Sequence, residues 1–263
     1  MLRTEPAFCN GCLNLQEQLV YKGEPTCIPV PMASDRSALS AQGLHDVCLS
    51  LRLGNRVVGS NLAADNKKLV IITGANQGGK STFLRGLGLA YLMVQCGMFV
   101  AAERFAASAC AGVFTHYKRE EDVTMKSGKL GEELNRMSGI ADQIGPGYVL
   151  LCSESFSSAN EREGSEIGQQ VISTFLEAGI KVFLVTHLFE LAQTLHSERV
   201  DVALFLRAER DADGRPTFRM VEGEPLPTSY DEDLYKEIFE KASAAEAAVP
   251  MGGQVPAART QDF

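Results

Sequence analysis

Residues 69–82 read LVIITGANQGGKST, an apolar run that leads into a glycine-rich loop and a Lys-Ser-Thr triplet. A strand, the motif G-x-x-x-x-G-K-S and a helix start follow one another in the order that a phosphate-binding loop requires. In such a loop the backbone N–H groups and the positive end of the helix dipole face the phosphates. Lys80 is placed to reach the β- and γ-phosphates, and the Ser81 hydroxyl to bind Mg²⁺. The stretch predicts a nucleoside triphosphate site formed by Gly74, Ala75, Asn76, Gln77, Gly78, Gly79, Lys80, Ser81 and Thr82.

Strand-like and helix-like segments alternate along the following chain. Strands are expected at residues 68–73, 110–117, 148–152 and 180–186, and helices at residues 80–96, 129–144, 162–178 and 188–197. This alternation is typical of a mainly parallel sheet flanked by helices. Two further strands, Val200–Ala208 and Thr217–Glu222, flank a turn at Asp211–Gly214 and predict a hairpin. We therefore predict an α/β fold of the P-loop NTPase class, with an antiparallel β edge.

The rest of the chain carries weaker signals. Residues 1–45 contain several prolines, so we expect an extended lead-in with one short helix near Leu13–Tyr21. Short strands are expected between Val47 and Leu62. The nucleotide-binding domain is predicted to span residues 46–245 and to end in an amphipathic helix from about residue 231. Residues 246–263 are rich in Ala, Gly, Pro and Gln and predict a disordered tail.

The composition limits the classes of protein to consider. A net charge of −8 argues against a surface that binds nucleic acid over its whole extent, but allows a local basic patch. The longest uncharged run, residues 86–102, is too short for a membrane span. The N-terminus shows no apolar signal sequence. The cysteines are most simply explained as reduced thiols, with Cys48, Cys96, Cys110 and Cys152 in apolar surroundings. We predict a cytoplasmic protein that does not enter a membrane.

A second apolar strand ends in a candidate catalytic carboxylate. Residues 148–152 read YVLLC and precede Ser153 and Glu154, which lies 74 positions after Lys80. In P-loop ATPases, acidic residues at the end of such a strand hold the Mg²⁺ shell and polarise the attacking water. Glu154 is therefore the candidate catalytic base and a candidate Mg²⁺ ligand. The next strand ends at His187, which is predicted to hydrogen-bond the γ-phosphate or the water, although an isolated histidine is more often a core or capping residue.

At these positions the chain resembles the ATPase domain of the MutS mismatch-repair family. The family pattern T-G-x-N-x-G-G-K-S-T matches Thr73–Thr82, and its T-H pair followed by F-E-L matches residues 186–191. The resemblance implies an ABC-type ATPase that binds ATP and Mg²⁺, works as a homodimer, binds DNA and acts in mismatch repair or recombination. It also implies that Ser127 and Gly128 reach the γ-phosphate of the facing subunit, although Ser127 is equally suited to cap a helix. Residues 1–45 would be the remnant of a helical lever domain.

One departure from the family pattern bears on activity. Ser153 stands where the family has Asp before the catalytic Glu, and a hydroxyl cannot supply the charge that orders water around Mg²⁺. Losing such an outer-shell partner typically costs about 10- to 100-fold in metal affinity or activity. The alternative prediction is therefore a hydrolysis-impaired, nucleotide-dependent dimerisation module. A transporter-type ABC ATPase is disfavoured, because residues 126–129 read KSGK and lack the L-S-G-G-Q signature.

Overall fold

A computed structural model describes residues 4–33, 37–119 and 128–225. Ser127, the helix expected from residue 231 and the tail 246–263 lie outside these residues. The helices of the described part are α1 (Thr4–Tyr21), α2 (Val47–Arg52), α3 (Lys80–Gln95), α4 (Lys129–Ala141), α5 (Glu161–Glu177) and α6 (Phe189–Arg199). Its strands are β1 (Val30–Met32), β2 (Leu39–Leu44), β3 (Ser60–Ala63), β4 (Leu69–Thr73), β5 (Arg104–Ser108), β6 (Val113–Tyr117), β7 (Val149–Ser153), β8 (Lys181–Val185), β9 (Ala203–Arg210) and β10 (Pro216–Glu222).

The main sheet has six strands in the order β10-β9-β4-β8-β7-β6. All neighbours pair in parallel except β10, which pairs antiparallel with β9 at one edge. β7 is buried along its whole length, as expected of a parallel strand covered on both faces. The predicted α/β class, with a mainly parallel sheet, flanking helices and an antiparallel edge, is confirmed.

Helices cover both faces of this sheet and place the phosphate-binding loop. One face packs on α4, α5 and α6, and the other packs on α3. Two glycines let α3 pack closely against the main sheet on one side and against the segment before α2 on the other. A Cβ on Gly88 would come within 2.5 Å of Leu151 Cδ1 in the sheet, and one on Gly86 within 3.3 Å of Asp46 in the segment before α2. The helix that begins at Lys80 is therefore fixed from two sides.

A second sheet, in the order β1-β5-β2-β3, shares a hydrophobic core with α3. The N-terminal segment contributes to it, since Leu19, Leu39 and Leu44 are all buried. The predicted short helix is an 18-residue helix, α1. Most of α1 is exposed, so its sequence lacks the apolar periodicity that would have marked its length.

Two other local predictions differ from the structure, one in the type of element and one in a strand boundary. Residues 47–52 form α2 rather than a strand, because the Asp46 carboxylate accepts the Leu49 N–H at 2.6 Å and caps the helix. The same carboxylate binds the Arg85 guanidinium of α3 at 2.7 Å. The strand expected at 110–117 begins at Val113 as β6, and β5 precedes it in the other sheet. The small residues of β5 gave no strand signal.

No described helix has the length and apolar character needed to cross a membrane. All seven cysteines are free thiols, but Cys152 alone is fully buried. Cys110 is partly buried against the hydrophobic core and Cys152 lies within it, as expected, but Cys48 on α2 and Cys96 at the end of α3 are exposed, so the expectation of apolar surroundings is wrong for these two.

Candidate functional site

The loop between β4 and α3 has a backbone that only certain residues can adopt. Gly74, Gln77 and Gly79 have φ values of 116°, 61° and 87°, in the left-handed region that favours glycine. The loop also packs tightly on β9. A Cβ on Gly78 would lie 2.7 Å from the Ala208 side chain, and one on Gly74 would lie 2.9 Å from the Ala208 backbone nitrogen. The loop glycines are therefore required by both conformation and packing.

Lys80 is buried inside this loop, with 5% of its surface exposed. Its ammonium donates to the carbonyl oxygens of Gly74 and Ala75, each at 2.7 Å. Burial lowers the pKa of Lys80, and attraction to Glu154 opposes that shift. The cation is thus held by two neutral carbonyls, which phosphate oxygens could replace with a gain in charge complementarity.

The ends of β7 and α3 bring oxygen atoms together beside the loop. The Ser81 and Ser153 hydroxyl oxygens are 3.2 Å apart, so one hydroxyl donates to the other. Glu154 follows with a φ of 55°, an uncommon conformation for a residue other than glycine. Its carboxylate lies 3.9 Å from the half-exposed Lys118 ammonium. Hydroxyl and carboxylate oxygens are suitable ligands for Mg²⁺, which usually keeps several waters and takes one or two carboxylates plus phosphate oxygens.

Several of these groups line a cavity of about 640 Å³, a volume in the range of small-molecule sites. Its polar lining includes residues 76–82 and Glu154, together with His45, Asp46, Asn55, Arg56 and Ser60. Apolar side chains also line the cavity, namely those of Leu49, Leu53, Val57, Val58 and Phe218. The sequence had indicated none of these five as site residues.

Phe218 reaches the cavity through an irregularity in β10. The register between β9 and β10 shifts between Pro216 and Met220, and Phe218 has a φ of 62°. Bulges of this kind redirect a side chain and occur beside active sites. The Phe218 ring lies next to Gly79, where an added Cβ would be 3.7 Å from it. The alternating pattern of β10 contains no signal for such a bulge.

The apolar wall of the cavity is held by two residues that follow α1. The Lys22 ammonium donates to the carbonyl oxygens of Ser50 at 2.6 Å and Leu53 at 2.9 Å, and also to that of residue 51. The Glu24 carboxylate is 3% exposed and accepts the Val57 N–H at 2.7 Å and the Ser50 hydroxyl at 3.0 Å. The segment after α1 therefore fixes both the end of α2 and the loop that follows it.

A buried polar network lies behind Glu154. His116 is fully buried, and its Nδ1 is 2.7 Å from the Ser155 hydroxyl while its Nε2 is 3.1 Å from the Glu133 carbonyl oxygen. Burial and the nearby Arg136 charge lower the pKa of His116 to about 4, so the ring is neutral at pH 7. A carbonyl can only accept, so Nε2–H donates to Glu133, and Nδ1 accepts from Ser155. The network connects α4 to the residue after Glu154.

The predicted site residues fall into three groups. Residues 76–82 and Glu154 line the cavity, while Gly74 and Ala75 contribute the carbonyls that hold Lys80. His187 is exposed just beyond β8, and Gly128 directly precedes α4; neither is among the lining residues. Ser127 lies outside the described residues. The roles of His187, Ser127 and Gly128 therefore remain predictions.

A family model described as MutS domain V matches residues 70–231, more than half of the 263-residue chain. The chain belongs to the MutS domain V family. The match begins in β4 and covers the phosphate-binding loop and the strand that leads to Glu154. A P-loop ATPase-type fold is thus supported both by the family and by the strand order.

Individual relatives agree with this assignment. Endonuclease MutS2 of Thermus thermophilus is 29% identical over 206 residues, which are 76% of this chain and 27% of the relative. MutS protein homolog 4 of Mus musculus is 27% identical over 61% of this chain and 17% of the relative. DNA mismatch repair protein MutS of Thermotoga sp. strain RQ2 is 29% identical over 65% of this chain and 22% of the relative. The chain thus spans 17 to 27% of the length of these three relatives.

Proposed function

We propose that this protein binds ATP with Mg²⁺ in the cavity beside the β4–α3 loop and hydrolyses it. One observation carries the proposal: the buried Lys80 ammonium sits in a left-handed glycine loop, bound only to carbonyls that phosphate can replace. A buried cation with exchangeable neutral partners suits an anionic ligand. Loop N–H groups and the start of α3 add further positive potential at the same place.

The cavity also suits the nucleoside part of ATP. Its apolar lining includes the Phe218 ring and the aliphatic side chains of Leu53 and Val58, against which a flat base can pack. Phosphates at the loop and a base at this wall would together fill a cavity of about 640 Å³. The fixed backbone of residues 50–57 would make this wall largely pre-formed.

Ser81 and Glu154 are the residues that would hold Mg²⁺. When bound, the ion would offset the phosphate charge. Glu154 would accept a proton from the attacking water, since its carboxylate lines the cavity beside the phosphate-binding loop. Ser153 would contribute a hydroxyl hydrogen bond to Ser81 in place of a second charge. His187, at the end of the next strand, would contact the γ-phosphate or the water.

We further propose that this protein forms an ABC-type homodimer in the cytoplasm and binds DNA during mismatch repair or recombination. The relatives named as MutS and MutS2 support the DNA context, and the MutS domain V family supports the ATPase context. Ser127 and Gly128 of one subunit would complete the site of the other. In this scheme residues 46–245 form the ATPase domain, residues 1–45 derive from a lever domain, and residues 246–263 are a tail.

A second candidate is a module that binds ATP and dimerises but hydrolyses little. Two observations favour it. Ser153 pairs with Ser81 through a neutral hydrogen bond, and the Lys118 ammonium lies 3.9 Å from the Glu154 carboxylate, where it competes with Mg²⁺ and water for the carboxylate oxygens. Both features would weaken the chemistry more than the binding.

Steady-state ATPase rates with and without DNA separate the two candidates. The first candidate predicts Mg²⁺-dependent turnover that DNA alters, and the second predicts tight ATP binding with almost no turnover. Filter binding to duplex, mismatched and branched DNA, with and without ATP, then tests the DNA context. Failure of a fluorescent ATP analogue to bind would refute both candidates.

A further inference from the structure

A second cavity lies at the opposite edge of the main sheet from the phosphate-binding loop. It has a volume of about 240 Å³ and is lined by Lys68, Lys181, Tyr91 and Ser108, among others. We call it the basic cavity, defined by these four residues. Lys68 precedes β4, whereas the phosphate-binding loop follows that strand. The five residues of β4 therefore separate the two sites by about 17 Å.

The two lysines of the basic cavity are direct neighbours. β4 and β8 pair in parallel with Leu69 opposite Val182, so Lys68 and Lys181, one position earlier on each strand, lie side by side. Side chains two positions further along, Val70 and Phe183, belong to the same core cluster, so both lysines face the α3 side of the sheet. Like charges in such a position repel and destabilise the pair unless an anion lies between them.

The protein supplies Lys181 with little compensation for this repulsion. Its ammonium makes one long contact, 3.5 Å to the Ser37 hydroxyl, and lies 5.9 Å from the centre of the Phe183 ring. In the described part of the chain no carboxylate lines the basic cavity. The nearby Asp65 attracts Lys181, but one of its oxygens already accepts the Leu39 N–H at 2.8 Å. Lys80, in contrast, has two acceptors at 2.7 Å.

The remaining polar groups of the basic cavity can donate hydrogen bonds. The Ser108 hydroxyl oxygen accepts the Ala38 N–H at 3.0 Å, which leaves its proton available. Burial raises the pKa of Tyr91, so its phenol keeps its proton. Two cations and the hydroxyl groups of Ser108 and Tyr91 thus line a space smaller than a nucleotide site but large enough for a phosphate group.

We propose that the basic cavity is a second anion site, which binds a phosphate group between Lys68 and Lys181. The ligand is free phosphate or a small phosphorylated compound. Burial lowers the pKa of Lys181 to about 8. A bound anion favours the charged ammonium, so it raises this pKa, and binding weakens as the pH rises above it.

The test follows the lysine side-chain NMR resonances of the isotopically labelled full chain during titration with inorganic phosphate at constant ionic strength and pH 7. We expect a saturable shift of the Lys181 resonance, a higher Lys181 pKa and a higher melting temperature. A parallel titration with glycerol phosphate identifies the source. Saturation by phosphate alone indicates the free ion, and saturation by both indicates a phosphorylated compound.

Variants separate this site from the phosphate-binding loop. The phosphate-induced rise in melting temperature should be lost in Lys181→Met and in Lys68→Met. Because Lys68 is more exposed than Lys181, the Lys68→Met variant provides the test if Lys181→Met does not fold. It should remain in Lys67→Met, a matched control whose ammonium instead binds the carbonyls of residues 200 and 201. It should also remain in Lys80→Ala. A parent without a saturable Lys181 shift, or a response lost in Lys80→Ala, would overturn the proposal.

Discussion

Lys80 is buried and Lys181 is half-buried, and they lie at opposite edges of one mainly parallel sheet in different surroundings. Lys80 donates to two carbonyls at 2.7 Å and is attracted by Glu154. Lys181 contacts one hydroxyl at 3.5 Å and stands beside Lys68. Burial lowers the pKa of both. The comparison teaches that a lysine removed from water can be stabilised in two ways. Lys80 donates to carbonyl oxygens that a ligand can replace, whereas Lys181 has almost no acceptor in the protein.

The largest effect is expected for Glu154, the carboxylate that attracts Lys80. Glu154→Gln should retain ATP binding but reduce turnover by about 100- to 10,000-fold, because an amide keeps the shape but cannot accept a proton from water. ATP should then trap the dimer, which size-exclusion chromatography with ATP and Mg²⁺ detects. Glu163→Gln, on the exposed first turn of α5, is the matched control and should leave turnover unchanged. A monomeric Glu154→Gln variant beside a dimerising parent would contradict the composite site.

The next effect tests Lys80 directly against Lys181. Lys80→Ala should weaken a fluorescent ATP analogue by about 100-fold or more, because charge-assisted hydrogen bonds to phosphate contribute about 1.5–3 kcal/mol each. Lys181→Met should leave this affinity unchanged. Equal affinities of the parent and Lys80→Ala would show that the glycine loop is not the triphosphate site. Lys80 and Lys181 would then not differ in their importance for ATP binding.

A third prediction concerns the buried His116 behind Glu154. Its pKa of about 4 lies below the ordinary value of 6.5, so the unfolded chain takes up a proton first as the pH falls. The stabilising contribution is complete above pH 6.5 and is lost progressively down to about pH 4. The loss amounts to at most about 3 kcal/mol of the free energy of unfolding.

Urea unfolding of the parent and of His116→Gln across this pH range isolates the contribution of His116. The parent should lose more stability than the variant between pH 6.5 and 4. Parallel curves for the parent and His116→Gln would mean that His116 is not held neutral by its surroundings.

The smallest expected effect concerns Ser153. Ser153→Asp should raise Mg²⁺-dependent hydrolysis by about 10-fold, because a second charge would order the water around the ion. The competing outcome is that a carboxylate next to Glu154 raises one of the two pKa values and lowers the melting temperature. A Mg²⁺ titration of the ATPase rate, combined with a thermal melt, distinguishes these results. An unchanged rate with a lowered melting temperature would favour the hydrolysis-impaired module.

The sequence predicted the central strands and the polar half of the site. Apolar runs marked β4, β7 and β8, because parallel strands buried on both faces carry few polar residues. The carboxyl ends of such strands meet at one edge, which placed Ser81 near Ser153 and Glu154.

The other half of the site depends on contacts between distant segments. Phe218 enters the cavity through a bulge, and the α2 wall depends on a cap and on Glu24, which lies 33 residues before Val57. His116 becomes part of a network only when α4 packs behind Glu154. Lys181 is a single polar residue at the start of an apolar run, so nothing in its local sequence distinguishes it from an exposed lysine.

The attachment of α1 to the cavity wall has a mechanical consequence. Lys22 and Glu24 bind the end of α2 and Val57 through short hydrogen bonds, and most of α1 itself projects into solvent. No long flexible linker separates α1 from the cavity, because the residues that follow α1 bind directly to the cavity wall. A force applied to α1 would therefore be transmitted through these hydrogen bonds to the cavity wall and would change the width of the cavity.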